Sequence, residues 1–147
     1  MIDIEIDGAV FNRKFLPHVY ADQRYIVLNG GGGSGKSYFV VQRLIIKLMT
    51  ADLCNVLAVR RYAKDNRNST FALFQQIINK WKLGDLFTIN RGELRIICNH
   101  TKNEVVFAGL DDVEKLKSIT FAKGELTDIW TEEASEVPGA IYFSVWS

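Results

Sequence analysis

The sequence predicts an α/β fold of three layers, with a mostly parallel sheet and an inserted antiparallel meander. Three observations carry this. Residues 24–41 read RYIVLN, GGGGSGKS and YFVV: an apolar run, a glycine turn and the start of an amphipathic helix. The run CNVLAV at 54–59 has the apolar character of a strand covered on both faces, and a strand-like run at 126–131 ends in acidic residues. Between these two runs, residues 87–108 form short alternating segments separated by Asn90-Arg91-Gly92 and by residues 99–103, as in hairpins.

In chain order, Ile2, Ile4 and Ile6 alternate with Asp3, Glu5 and Asp7, which reads as a half-exposed strand ended by Gly8. Residues 9–23 are irregular around Pro17 and carry Phe11, Phe15, His18 and Tyr20. These are expected to cover the sheet edge; alternatively, an aromatic here packs on a bound base. Tyr25 to Asn29 is expected to be the first core strand. The helix from Lys36 places Val40, Val41, Leu44, Ile45 and Leu48 on one face and Gln42, Arg43 and Lys47 on the other. The second strand, 54–59, runs into Arg60, Arg61, Lys64 and Arg67, expected in a loop at the carboxyl end of a parallel strand, where ligands collect. Asn68 or Ser69 caps a helix with Phe71, Phe74, Ile77, Ile78 and Trp81 at helical spacing, ended by Gly84. Residues 87–90, 93–98 and 104–108 are then three short strands, expected to lie outside the parallel part of the sheet as an insertion or an antiparallel edge. Residues 111–117 form a short polar helix or loop. The strand at 126–131 leads into Glu132, Glu133, Ala134 and Ser135.

The chain has 147 residues, with 48% apolar and 24% charged content, which suits one globular domain over 1–147. A net charge of +1 gives no global basic field that would announce nucleic acid or a membrane. Cys54 and Cys98 lie in apolar runs without metal-ligand spacing, as reduced buried thiols of a cytosolic protein do. The start MIDIEID lacks the basic region and apolar core of a signal peptide, and nothing approaches the ~18 uncharged apolar residues of a membrane span.

The glycine turn carries the chemistry. Gly30, Gly35, Lys36 and Ser37 fit the phosphate-loop pattern G-x-x-x-x-G-K-[ST], and Gly31, Gly32, Gly33, Ser34 and Tyr38 complete the candidate nucleotide-binding stretch. Phosphate oxygens must sit within reach of several backbone N–H groups, which a loop with little side-chain bulk allows. The following helix points its free N–H groups and positive dipole end at the same anion. Lys36 reaches the β- and γ-phosphates, and the Ser37 hydroxyl is suited to Mg²⁺. The expected fold is therefore that of a P-loop NTPase. Gly30, Gly32 and Gly35 also satisfy G-x-G-x-x-G, the dinucleotide fingerprint; its acidic ribose ligand is missing, since the next strand ends in Arg60 and Arg61, although an arginine there suits a 2′-phosphate.

A phosphate loop needs a second element. Mg²⁺ takes oxygen ligands, and the attacking water needs a base. Glu132, at the end of its strand, is assigned to the metal and Glu133 to the water, because adjacent residues leaving a strand point in different directions. Asp128 is the competing metal carboxylate, placed inside the strand rather than at its end. The bland alternative is an acidic turn opening a helix.

RYIVLNGGGGSGKS, VLAVRR, GLDDVEKLKSI and IWTEEASEV together resemble the ATPase domain of the large terminase subunit of tailed bacteriophages, from about Arg24 to Val137. The resemblance implies Mg-dependent ATP hydrolysis coupled to translocation of double-stranded DNA during genome packaging. It gives Glu132 the metal role and Glu133 the catalytic one, beside Lys36, which the loop pattern already makes a catalytic candidate. It also implies the portal and the small terminase subunit as partners, a homo-oligomer at full length, no membrane, and the host cell cytoplasm. Arg60 and Arg61 become candidate contacts to nucleotide or DNA phosphate. Two departures stand out. Many members carry an arginine in the loop where this chain has Gly32, so γ-phosphate sensing is expected from Arg60, Arg61 or a neighbouring subunit. Members also continue beyond the position of Ser147 with a coupling strand and a nuclease domain, so a fragment without DNA cleavage is expected. The rival functions are a small P-loop kinase and a nucleotide-binding remnant without turnover.

Overall fold

The computed structural model describes residues 3–134; Ile2 and the Ser135–Val137 part of the acidic stretch lie outside the described residues. Four α-helices and five strands follow one another: α1 (Lys36–Thr50), β1 (Asn55–Arg60), α2 (Ala63–Asn68), α3 (Thr70–Lys80), β2 (Phe87–Asn90), β3 (Arg95–Cys98), β4 (Glu104–Gly109), α4 (Val113–Ser118) and β5 (Asp128–Thr131). The strands form one sheet in the order β2-β3-β4-β1-β5. β1 pairs parallel with β4 and with β5, whereas β2–β3 and β3–β4 are antiparallel.

The apolar runs explain the centre of this sheet. All six residues of β4 and the first five of β1 are buried, as expected of strands with helices over one face and further cover on the other. On one face, α1 and α3 pack Leu44, Ile45, Phe74 and Ile77 against Val56, Val105, Phe107 and Trp130. Phe107 is met edge-on by Phe71 and Phe74, with ring centroids 5.1 and 5.4 Å away. The opposite face is thinner: Leu57, Val59, Ala108 and Leu110 are covered by Leu116 and Ile119 of the α4 region. α4 opens on Asp112, whose carboxylate accepts from the Lys115 N–H. Among the described residues, no helix is long and apolar enough to cross a membrane.

The structure corrects several expectations. The third strand of the meander, β4, is a central strand paired parallel with β1, so the antiparallel strands are the sheet's own edge and not an insertion. Alternation over three strands shows that they pair with one another, but not what lies on the far side of the last. Tyr25 to Asn29 is not a strand; Val27 is 87% exposed. Both hydrogen-bonding sides of β1 are taken, by β4 and β5, and the run at 25–29 does not add to the outer side of β5. Residues 3–7 are likewise unpaired, and Ile6 packs against a small cluster of Phe11, Phe15, Val19, Phe39 and Ile46 instead.

That cluster also changes the reading of residues 9–23. Phe11 and Phe15 cover the outer side of α1, not a sheet edge, with Phe15 stacked on Phe39 at 4.9 Å. Gln42, assigned to the polar face of α1, is buried beneath this cover and donates to the Val10 carbonyl at 3.0 Å. Arg60 ends β1, but Lys64 and Arg67 lie on the helix α2 rather than in a loop. α2 starts tightly against the end of β4: a Cβ on Gly109 would lie 2.1 Å from the Ala63 nitrogen. Ser69 breaks α2 from α3 without a side-chain cap, and α3 ends at Lys80, before Lys82 turns with φ +57°.

The amino ends of the parallel strands are locked by buried polar side chains. Asn103 accepts from the Cys54 N–H at 2.9 Å and donates to the carbonyls of Leu48 and Ala51 at 3.0 and 2.7 Å. Asn55 donates to the carbonyls of Lys123 and Glu125, which brings the chain into register for β5. Buried Glu104 accepts from Arg95 at 2.7 Å and from the Ala122 N–H at 3.0 Å. Replacing Asn103 with alanine strands the buried Cys54 N–H and removes a donor from the Ala51 carbonyl, while the Leu48 carbonyl keeps the Thr101 hydroxyl, so Asn103→Ala is expected to cost about 1–3 kcal/mol, read as a lower urea midpoint at unchanged slope.

Candidate functional site

The glycine loop leads straight into α1. Gly33 and Gly35 have φ of +74° and +82°, values that disfavour any side chain, and the Ser34 N–H closes a turn on the Gly31 carbonyl at 3.3 Å. A Cβ on Gly31, Gly32 or Gly33 would meet nothing within 4 Å, so the outer side of the loop is open. Gly35 is the N-cap of α1 and brings no side chain to its first turn, which leaves the helix dipole facing the loop uncapped. The Lys36 ammonium folds back into the loop and donates to the carbonyls of Gly30 (2.7 Å) and Gly31 (3.2 Å) and to the Ser34 hydroxyl (3.2 Å). Asn12 lies close by: its amide nitrogen is 3.8 Å from where a Gly35 Cβ would stand.

Across from the loop stands the end of β5. The Glu132 N–H donates to the Val59 carbonyl at 3.1 Å, carrying the β1–β5 ladder one residue past Thr131. This delivers the half-buried Glu132 carboxylate to α1, where the Ser37 hydroxyl donates to its Oε1. Residues 95 positions apart thus meet at one point. Glu133 follows with φ +52°, a left-handed backbone unusual outside glycine, and is exposed. The structure therefore brings Ser37 and Glu132 into contact, with Lys36, Tyr38 and Glu133 adjacent to them in the chain.

Asp128 is elsewhere. It accepts from Lys47 at 2.5 Å and from Thr127 at 2.6 Å, and lies 3.7 Å from the Cys54 sulfur, near the far end of α1. Burial, and then the adjacent Asp128 carboxylate, push the Cys54 thiol up from 9.0 to about 12. Arg60 and Arg61 part company. Arg60 is half-buried and donates to Ser69 Oγ at 3.1 Å, so of the two arginines open to a 2′-phosphate this one is engaged by the protein. Arg61 is exposed, with its guanidinium 5.1 Å from the Tyr62 ring centroid. The proximity of Asn12 to the loop and the Lys47–Asp128 pair had no signal in the sequence, because neither partner belongs to a local pattern.

Fold and site define an α/β protein in which a glycine loop leads into a helix whose N-terminus meets Glu132 at the carboxyl end of a parallel strand. The chain belongs to the phage terminase large subunit family, whose model matches residues 22–145. The "Terminase, large subunit" of Bacillus phage SPP1 is 30% identical over 133 residues, covering 85% of this chain and 31% of that protein. The "PBSX phage terminase large subunit" of Bacillus subtilis (strain 168) is 34% identical over 127 residues, covering 86% of this chain and 28% of that protein. The chain thus spans under one third of the length of these two relatives.

The Cys54 thiol yields a pH prediction. Unfolding frees it to ionise near its ordinary value while the folded thiol stays protonated, so its contribution is complete below about pH 9 and is lost as pH rises toward 12. The fall in stability across that window is expected to be shallower in Cys54→Ala than in the unmodified protein, as measured by urea unfolding at stepped pH.

Proposed function

We propose that this chain binds a nucleoside triphosphate at the Gly30–Tyr38 loop and hydrolyses it with Mg²⁺, driving movement of double-stranded DNA in phage genome packaging. The observation that carries this is the Ser37–Glu132 contact, which places a hydroxyl and a carboxylate together at the N-terminus of α1. Family membership supports the role in DNA packaging.

The donor set fits Mg²⁺. Among the described residues, no cluster of three or more His, Cys, Asp and Glu side chains forms. Mg²⁺ needs no such cage: one or two protein oxygens suffice, with water and phosphate completing the octahedron. Ser37 and Glu132 would hold it, directly or through water, and it would offset negative charge on the phosphate oxygens. The Lys36 ammonium already sits among loop acceptors and exchanges them for phosphate oxygens, while the open backbone at Gly31–Gly33 and the first turn of α1 supply N–H donors. Glu133, exposed and next to Glu132 in the chain, takes the role of base and orients water for in-line attack. Asp128 is committed to Lys47 and does not compete for the metal.

Turnover of Mg-ATP by the chain tests this. Glu133→Gln is expected to lower the rate roughly 100-fold or more with nucleotide affinity retained, the scale of a lost general base; an unchanged rate would remove Glu133 from the mechanism. Lys36→Ala is expected to abolish both turnover and the nucleotide-dependent rise in melting temperature. Glu132→Ala should leave nucleotide binding but remove its dependence on Mg²⁺, measured by calorimetric titration with and without the metal. A chain that shows the melting shift but no turnover is the nucleotide-binding remnant instead.

A further inference from the structure

The sequence from Arg60 to Arg67, RRYAKDNR, holds four basic residues and one acidic one in a chain whose net charge is only +1. The fold spreads this charge along one edge. Arg61 follows the carboxyl end of β1, Lys64 and Arg67 lie on α2, and Arg91 occupies the β2–β3 turn. β3 runs antiparallel to β4, which is parallel to β1, so that turn lies at the same edge as Arg61. Arg67 donates to the Arg91 carbonyl at 2.9 Å and ties α2 to the turn. All four side chains are exposed, and among the described residues none forms an ion pair. Arg61 and Lys64 share one exposed ring, lying 5.1 and 5.7 Å from the Tyr62 centroid. Two like charges gathered on one ring without a carboxylate partner form an arrangement that an anion relieves.

We infer that Arg61, Lys64, Arg67 and Arg91 form a track for the phosphate backbone of double-stranded DNA, read without regard to sequence. This rests on the reading that the chain acts on DNA, and adds the surface. From β1 to the β2–β3 turn is two to three strand spacings, ~10–14 Å. A duplex advances about 3.4 Å per base pair, so the track spans roughly three to four phosphates of one strand. Arg60 is not part of it, being drawn inward to Ser69. The track shares its edge with Glu132, so DNA would lie beside the nucleotide site.

The test is fluorescence anisotropy of a labelled 20-base-pair duplex titrated with the chain at several salt concentrations. Four phosphate contacts give a slope of log affinity against log salt of about −3.6. Arg61→Ala with Lys64→Ala should bring the slope to about −1.8 and weaken binding roughly tenfold or more at low salt. Lys102→Asn, at the opposite edge of the sheet where φ is +65° and asparagine is tolerated, should change neither. An unchanged slope in the double variant, an equal loss in Lys102→Asn, no DNA binding by the unmodified chain, or equal displacement by polyglutamate of matched charge would overturn the assignment. The nucleotide-dependent melting shift should be unaltered in Lys64→Ala alone, since Lys64 lies on α2 and has no part in the nucleotide site. Absence of that shift in the unmodified chain would count against the nucleotide reading alone, since the anisotropy titration decides the track independently.

Discussion

Helix α1 is held along strand β5 at two points, and the site depends on that alignment. The Ser37 hydroxyl meets Glu132 at one end and Lys47 meets Asp128 at the other. From Ser37 to Lys47 a helix rises ~15 Å, and from Asp128 to Glu132 a strand advances ~13 Å. The lengths match, so the helix lies antiparallel to the strand with its N-terminus at the strand's carboxyl end. The Lys47–Asp128 pair is partly exposed and contributes on the order of 1 kcal/mol or less. Its effect is one of direction: it fixes which end of α1 faces Glu132. The energy that holds the helix down comes from Leu44, Ile45 and Leu48 in the core.

The two edges of the sheet are built differently. At the amino edge, Asn103, Asn55 and Glu104 hold the incoming chain by hydrogen bonds to backbone groups, and Lys123 donates to the Asp52 and Thr101 carbonyls. At the carboxyl edge the polar groups are left accessible: the open glycine loop, Glu133, Arg61 and Lys64. A rigid edge supplies the frame on which an open edge can hold residues in costly backbone conformations, such as the positive φ of Glu133. The structure therefore separates the groups that position the strands from the groups free to meet a ligand.

Much of the helical core and of the sheet was legible because its signals are local. Phe71, Phe74, Ile77 and Ile78 recur at helical spacing and are buried together. The apolar run at 54–59 is buried because its side chains suit neither solvent nor a one-sided strand. The same reasoning misplaced Tyr25 to Asn29, since apolar composition does not by itself join a run to a sheet: β1 is paired on both sides, and the run does not pair with β5. It also misread Gln42, a polar residue whose amide finds the Val10 carbonyl beneath a cover formed by residues far away in sequence.

By itself, the sequence determined the turn chemistry of the glycine loop, because only glycine accepts the φ of positions 33 and 35 without strain, and it determined the spacing of Lys36 and Ser37 behind that loop. It also determined that an acidic pair follows a strand. Only the tertiary structure decided which carboxylate reaches Ser37, which arginine turns inward to Ser69, and that the last strand of the meander is the centre of the sheet. Backbone dihedral preferences act over one residue, whereas strand order and side-chain partners are set by which surfaces can be buried together across the whole chain.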